Sequence, residues 1–434
     1  MSDYMFMLES HLSAEQSRVV AAVQKAAAEA NVNLFLAGGA LRDMFGGFPV
    51  RDLDFVVEGN ALKLAKPLAE QGGATLVQTD EVRSTMELIF PGGITAEIGA
   101  ARTERYPKAG GKPEVTLATI HDDLRRRDFT INAIALSLNR ASRGLLLDPT
   151  NGLSDLERKE LRTVSNYALY DRPVRLLRLL RFRVRFGFTL EQRTQQQYEN
   201  ARAAELEKQI PASELFEELK RVAEDQNPTE VLRLFDEEKV LSLYSPALTG
   251  AKLNIPALQK LQKVRTIVPF EVDFPVNHAA LLLAVLAEKL TPKERLQIAQ
   301  ALQMSKADQD LWQKLDARAA KLGKTVASPA LHKPSQLYNV LSKATGEEIL
   351  YLYMHSPVRL VQDRIRNYLQ KYLPTAQDIM RREQAGQEAP NSARESAKSE
   401  KMIRELIMAK LDGRRTSAPQ PKQAAMAAAA RRGS

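Results

Sequence analysis

Arg51-Asp52-Leu53-Asp54-Phe55-Val56-Val57 follows shortly after the turn Leu36-Ala37-Gly38-Gly39-Ala40-Leu41-Arg42-Asp43, and these two stretches decide the fold. Strand side chains alternate faces, so a strand over 53–57 sets Asp52 and Asp54 on one side and buries Leu53, Phe55 and Val57 on the other. A hard Mg²⁺ ion takes oxygen ligands and keeps waters and substrate phosphates, so such a carboxylate pair can hold one or two ions over a triphosphate. Gly38 and Gly39 let the backbone approach a ligand. If Ala40 opens a helix, its first amides face a bound phosphate, with Arg42 as a nearby cation. Taken singly, a D-x-D is also read as a solvated strand end, and Gly-Gly as a tight turn.

Outward from this centre, Ala14 to Ala30 carries apolar residues at helical spacing, and Asn33 to Ala37 reads as a short strand. Further strands are predicted at Met86 to Phe90 and Ile94 to Ala100, joined through Pro91-Gly92-Gly93 as a hairpin. Glu97 falls on the second of these. It is either a third carboxylate beside the Asp pair, or a base positioning an attacking hydroxyl, or a salt-bridged strand residue. The first 150 residues are therefore α/β. After Asp155 strand signals become rare and amphipathic helices dominate, including 212–223, 228–235, 279–290 and 292–302. Beyond Pro374 the sequence turns polar, with one candidate helix from Ser399 to Leu411, then Gly413-Arg414-Arg415 and Pro, Gln and Ala tracts. This tail is either a disordered solubilising end or a basic arm that adds nonspecific RNA affinity.

The 434 residues carry a formal charge of +9, which favours a polyanionic partner such as RNA, DNA or nucleotides. The absence of cysteine excludes disulfides, thiolate zinc sites and a cysteine nucleophile. No export signal and no apolar run of about 18 residues is seen, so a cytoplasmic protein without membrane contact is expected. Protein partners are not indicated. Of the five histidines, none has a second at metal-ligand spacing, which argues against a fused metallophosphohydrolase domain.

Arg125-Arg126-Arg127-Asp128-Phe129-Thr130-Ile131-Asn132-Ala133 places cations and an Asp beside an apolar run, read as helical, that ends near Leu138. Guanidinium forks match phosphate oxygens, and Asp128 or Asn132 can hold ribose hydroxyls. With Gly38 to Asp43 and the Asp52, Asp54 pair, this segment resembles the class II tRNA nucleotidyltransferase and bacterial poly(A) polymerase family. Asp148-Pro149 with Gly152, and Leu161-Arg162-Thr163-Val164, agree with it as well. The resemblance is specific over about 33–190 and general in the helices beyond. It implies an α+β protein: a nucleotidyltransferase (polymerase β-like) α/β head with an antiparallel or mixed sheet over 1–150, then an all-helical neck over 151–215. A helical body and tail over 216–375 and a basic low-complexity tail over 376–434 complete it. It further implies Mg²⁺ on Asp52 and Asp54 and the triphosphate near Gly38, Gly39, Arg42, Arg126 and Arg127; from its place on the strand, Glu97 is expected to be catalytic beside the pair.

The neck segment, Tyr170 to Phe182, bears on base choice. In one helix, Arg175, Arg178, Arg181 and Arg185 would form a basic stripe meeting anions, beside an apolar stripe of Leu176, Leu177, Leu180 and Val184. The family places E-D-x-x-R here, its Asp and Arg reading the edge of cytosine or adenine. In this chain Asp171 holds the Glu position, Arg172 replaces the Asp and Arg175 keeps the Arg. A guanidinium has donors only and cannot accept from an exocyclic amine. Asp171 either serves as acceptor, one helical turn from Arg175, or caps the helix carrying Pro173. Arg102 to Pro113 resembles the mobile loop with which some members switch nucleotides, and is equally readable as a plain surface loop. The activity implied is template-independent addition of C and A, or part of CCA, to tRNA 3′ ends from CTP and ATP. Poly(A) polymerase is the near alternative, nucleotidyl transfer to a small molecule a more distant one, and a silent RNA-binding protein the remote one.

Overall fold

The strand bearing Asp54 lies inside a seven-stranded sheet in a computed structural model of the chain, which describes residues 3–270, 272–385 and 393–413. The chain forms two units, one through Pro246 and one from Ala247. In the first, helices α1 (Asp3–His11) and α2 (Ala14–Glu29) lead into β1 (Asn33–Ala37), α3 (Gly39–Phe45) and β2 (Leu53–Glu58). Helix α4 (Ala65–Gly72), β3 (Thr75–Asp80), β4 (Thr85–Phe90) and β5 (Ile94–Ala100) follow, then the hairpin β6 (Arg102–Arg105) and β7 (Glu114–Leu117). After α5 (Ile120–Arg125) come β8 (Ala135–Ser137) and β9 (Leu146–Leu147). The sheet order is β3-β4-β5-β2-β1-β8-β9, with β5 parallel to β2 and the other neighbours antiparallel. The mixed sheet, the predicted strands and the β4–β5 hairpin are all present.

Local chemistry explains the entries. Ser13 and Gln16 form a reciprocal cap on α2, whose Val19, Val20, Val23 and Ala27 are buried. Leu53, Phe55 and Val57 are buried as expected, and so is Val56 on the carboxylate side. It joins Phe35, Ala37, Ile120 and Leu124 in a core that α5 helps to build on that face.

The run expected to be helical up to Leu138 is not. Only Thr130–Asn132 makes a 3₁₀ turn, and Ala135–Ser137 is β8, paired with β1. Ala133 to Leu136 are fully buried, and such a continuous apolar run carries no period that separates strand from helix. The open edge of β1 decides the matter.

Helices α6 (Gly152–Arg158), α7 (Ala168–Asp171), α8 (Val174–Phe186), α9 (Gln192–Ala203), α10 (Ala212–Glu224) and α11 (Pro228–Glu237) complete the unit. Thus α10 and α11, expected to open a separate body from 216, fall within the unit that carries the sheet. The chain breaks between α7 and α8, where Arg172 is extended at φ −135°, ψ 92°. A residue before proline is driven out of helical geometry, and Pro173 follows. Asp171 therefore shares no helix with Arg175, and Pro173, not Asp171, sits at the start of α8, with no side-chain cap. Both expectations for Asp171's local geometry are corrected.

In the second unit the described residues form helices α12 (Ile255–Arg265), α13 (His278–Leu286), α14 (Pro292–Ala301), α15 (Lys306–Gln313) and α16 (Leu315–Ala327). Helices α17 (Pro334–Leu341), α18 (Gly346–His355), α19 (Arg359–Asn367), α20 (Leu373–Ala385) and α21 (Ala393–Leu411) follow. Helix α13 is buried all round from Ala280 to Leu286. The expected low-complexity tail is helical where described. Ile407 of α21 is buried, and Asp412 accepts from the Ser335 amide and hydroxyl at 3.1 and 2.8 Å. Arg414, Arg415 and the Pro, Gln and Ala tracts lie outside the described residues. No helix among the described residues is long and apolar enough to cross a membrane.

Gly152 fixes α6 against the 130–132 turn. Its amide donates to Asp148 at 2.7 Å, and a Cβ there would overlap the Thr130 carbonyl oxygen. Gly152→Ala should destabilise the protein by about 1–3 kcal/mol or more through overpacking against backbone, read as a lowered midpoint in urea unfolding. An unchanged midpoint would show that α6 is free to shift.

Candidate active site

Asp52, Asp54 and Glu97 lie on the floor of a cleft of about 610 Å³ in the first unit. Asp54 and Glu97 are register partners on the parallel strands β2 and β5, so their side chains point to the same face. Burial, then the Glu97 and Asp52 carboxylates, push Asp54 up to about 6 against the opposing pull of Arg127 and Arg221. Among the described residues no three His, Asp or Glu groups close into a metal cage. A crowded carboxylate pair that leaves room for waters and phosphates nonetheless fits a hard divalent ion, which would relieve the repulsion on Asp54.

At the end of β1, Gly38 has φ +72°, and a Cβ there would lie 2.7 Å from Arg127 Nη1 and 3.3 Å from Asp54 Oδ2. A glycine lets the chain turn directly over the carboxylate. Helix α3 opens at Gly39, one residue before the predicted start. Arg42 lines the cleft but is buried, donating to Asp43 at 2.9 and 2.7 Å and to Asn132 at 2.7 Å. The rings of Phe182 and Phe186 flank it. Arg42 thereby anchors Asn132 rather than standing free.

Arg126 and Arg127 are both held by Asp123, a fully buried residue that the sequence reading passed over. Arg126 donates to one oxygen at 3.0 and 2.5 Å, and Arg127 to the other at 3.2 and 3.1 Å. Burial alone would raise Asp123, but Arg127 and Arg126 outweigh it and hold the carboxyl below its ordinary range. Glu104 adds a second anchor at 3.2 Å from Arg126. An Asp in the last turn of a helix, three and four residues before two arginines that follow that helix, was a legible signal for this arrangement.

Asp128 is buried and accepts from the Phe129 amide, Asn132 Nδ2 and Arg178 at 2.8, 2.9 and 2.7 Å. Burial opposes the charge, but Arg178 and Arg175 hold Asp128 well below the usual carboxylate range. The basic stripe on α8 is real, yet the anions it meets are the protein's own. Arg181 donates to Glu218 at 2.7 Å, Arg185 to Asp43 at 3.0 Å, and Arg175 to the Ala168 and Arg126 carbonyls at 3.0 and 2.8 Å. Burial pushes Arg175 down to about 10. Buried guanidinium groups need such partners; Arg175, Arg178, Arg181 and Arg185 still line the cleft, so the expected anion-facing stripe borders the site with its donors partly committed to the protein.

Arg172 lines the cleft and pairs with Glu214 of α10 at 2.5 Å. Asp171 does not reach the cleft; it lines a smaller cavity with Tyr106, Arg125, Arg126 and Arg175. Burial raises its carboxyl, with Arg175 opposing. The sequence also missed the α10 wall, where Lys220 pairs with Glu217 at 2.7 Å and Arg221 faces the cleft without a salt bridge. Nothing in one sequence marks α10 as a wall of this site. The 107–113 loop is the tip of the β6–β7 hairpin, and a Cβ on Gly110 would overlap the Gln209 carbonyl oxygen.

The Poly A polymerase head domain family matches residues 34–162. The chain is 36% identical over 260 residues to an A-adding tRNA nucleotidyltransferase of Aquifex aeolicus (strain VF5), covering 59% of this chain and 31% of that protein. It is 35% identical over 274 residues to a CC-adding tRNA nucleotidyltransferase of Deinococcus radiodurans, covering 61% of this chain and 68% of that one. A solved tRNA nucleotidyltransferase complexed with a primer tRNA and an incoming ATP analog shares 28% identity at a TM-score of 0.52, over 80% of this chain and 98% of that one. The chain thus spans less than a third of the length of the Aquifex relative.

The crowding on Asp54 has a measurable sign. A carboxyl raised in the folded state contributes stability below its unfolded value near 3.8, and that contribution is lost as pH rises through about 6. The penalty at pH 8 is at most roughly 3 kcal/mol, less what water in the open cleft screens. In EDTA, Asp54→Asn should melt above wild type at pH 8, the difference closing toward pH 4. Equal melting at both pH values would remove the repulsion.

Proposed function

The chain belongs to the class II tRNA nucleotidyltransferase and bacterial poly(A) polymerase family, and on that footing we propose that it adds C and A, or part of CCA, to tRNA 3′ ends from CTP and ATP with release of pyrophosphate. The observation that carries this reading is the carboxylate floor of Asp52, Asp54 and Glu97 beneath walls of guanidinium groups. A floor that repels itself is of no use to a protein that only binds RNA, since a polyanion gains nothing from carboxylates. Nucleotidyl transfer needs both signs: a place for reacting oxygens and a place for phosphate charge.

Metal dependence is general in this family. Mg²⁺ on Asp52 and Asp54 would supply Lewis-acid activation of the attacking 3′-hydroxyl and neutralise charge on the triphosphate. Glu97 orients the hydroxyl from the neighbouring strand. Gly38 and Gly39 admit the triphosphate close to the backbone. Arg126 and Arg127, locked by Asp123, keep fixed positive charge beside it, and Arg221 brings a further cation from α10. Charge fixed before the substrate arrives costs no reorganisation at the moment of reaction. The helical second unit, within a basic chain, is assigned to holding the RNA. We place the protein in the cytoplasm with its tRNA substrate.

The relatives' names support tRNA as the acceptor and divide over which nucleotide is added. Addition of A alone, on tRNA or as a poly(A) tail, is the second reading, favoured by Arg172 at the position where the family reads the base with a carboxylate. A gel assay with CTP and ATP on tRNA transcripts ending at the discriminator base, after CC and after CCA tests both. Synthesis that stops at CCA supports the first reading, a long A ladder the second, and no incorporation defeats both.

Asp52→Ala should lower incorporation by more than about a hundredfold, with RNA binding near wild type. Surviving activity would remove the carboxylate assignment. Arg172→Asp, made with Glu214→Gln so that two carboxylates do not face each other, should shift the CTP-to-ATP ratio of kcat/KM by about fivefold or more. An unchanged ratio would move base reading elsewhere.

A further inference from the structure

A second cavity of about 500 Å³ shares no lining residue with the catalytic cleft. It lies between Pro149-Thr150, the segment Arg162 to Asn166 and the start of α9, and Arg125, Arg162 and Arg193 bring three guanidinium groups to its wall. Glu191 is the carboxylate that faces them, and it is already engaged by the Thr194 amide and hydroxyl at 3.0 and 3.2 Å. Arg162 pairs with Asp155 at 3.0 Å, but its Nε–H is buried with no partner, as is the Thr150 hydroxyl. Arg125 and Arg193 are exposed and make no salt bridge among the described residues. Asp155 and Glu160, at 3.0 and 4.0 Å, balance Arg162, which leaves the exposed Arg125 and Arg193 and the buried donors without acceptors to call for an anion rich in acceptor oxygens.

Phosphate meets that need, whether it arrives free or within a nucleic acid chain. The choice between these sources turns on Tyr167. It follows the lining residue Asn166 and is 70% exposed, a large apolar ring kept in water. A free ion has no use for it, whereas a single strand places a base within a few ångströms of each phosphate, and bases stack on aromatic rings.

We propose that this cavity binds a backbone phosphate of single-stranded RNA while Tyr167 stacks on an adjoining base, giving the protein an RNA contact separate from its catalytic cleft. The inference rests on the reading of the chain as an RNA-end enzyme. It adds a holding point that the transfer chemistry itself does not need.

The test uses the full chain and an unstructured RNA twelve-mer with a 3′-deoxy end, so that binding is measured without transfer. Fluorescence anisotropy between 50 and 200 mM KCl gives affinity and salt slope. Removing each of Arg125 and Arg193 by alanine should reduce the slope by about one, while Arg193→Lys keeps it. Tyr167→Ala should weaken binding about fivefold or more at unchanged slope. Arg140→Ala, which removes an exposed arginine outside the cavity, should bind as wild type, and KM for CTP and ATP should be unmoved in every variant.

Wild-type slope and affinity in the Arg125→Ala/Arg193→Ala protein would overturn the proposal, as would an equal loss in Arg140→Ala. If inorganic phosphate raises the melting temperature of wild type but not of the double variant while RNA binding is unchanged, the occupant is free phosphate and the RNA assignment falls. Failure of the wild-type chain to extend a tRNA with a free 3′-hydroxyl would count against the transfer reaction, not against this site.

Discussion

The first unit is organised by a ladder of arginine–carboxylate pairs along α8, each with a buried carboxylate and with Arg181 buried as well. Arg185 meets Asp43 of α3, Arg178 meets Asp128 beyond α5, and Arg181 meets Glu218 of α10. Taking these charges from water costs several kcal/mol per ion, and the cost is offset only where geometry and hydrogen bonds are complete. Losing one partner of such a pair costs about 3–5 kcal/mol, since the other is left buried and alone. The three carboxylates come from three elements. Sliding α8 by one turn would strand all of them at once, so the ladder sets the register between the helix, the Gly-Gly turn and the α10 wall.

The same ladder decides the electrostatics of the cleft. Guanidinium groups at Arg42, Arg126, Arg127 and Arg178 are already matched by Asp43, Asp123 and Asp128, so their positions are fixed and much of their charge is balanced. The floor is balanced less well. Burial and two neighbouring carboxylates act on Asp54, with Arg127 and Arg221 as the opposing cations. The apo site is therefore set on the side of unrelieved negative charge at the floor. A divalent cation is the charge that would relieve it.

Sequence alone reached the centre of this arrangement because its pieces are local. Gly38-Gly39, Asp52 with Asp54, and Arg126-Arg127 are each short, and a strand period or a helix turn says which way their side chains point. Asp123 was within the same reach, three and four residues before the arginines it holds. What failed was nonlocal. The 129–138 run was misread because a wholly buried strand has no alternation, and only the free edge of β1 makes it a strand. The α8 stripe was correctly placed on one face, but its partners within the protein were not seen, because Glu218, which pairs with Arg181, lies 37 residues further along the chain. Asp171 failed for a local reason that was visible: Pro173 keeps Arg172 out of helix.

That break also bears on how a base is read. Arg175, which the family resemblance makes a reader, has two donors committed to backbone carbonyls and is buried. Arg172, extended by the proline after it, lines the cleft and is about a quarter exposed, as is its partner Glu214. A guanidinium alone presents donors, and cytosine and adenine each offer an amine that needs an acceptor. A guanidinium joined to a carboxylate presents both. Glu214, in the first turn of α10, is such an acceptor, and Arg172 itself holds it in place. Arg172 thus enters the cleft wall as half of a donor–acceptor pair.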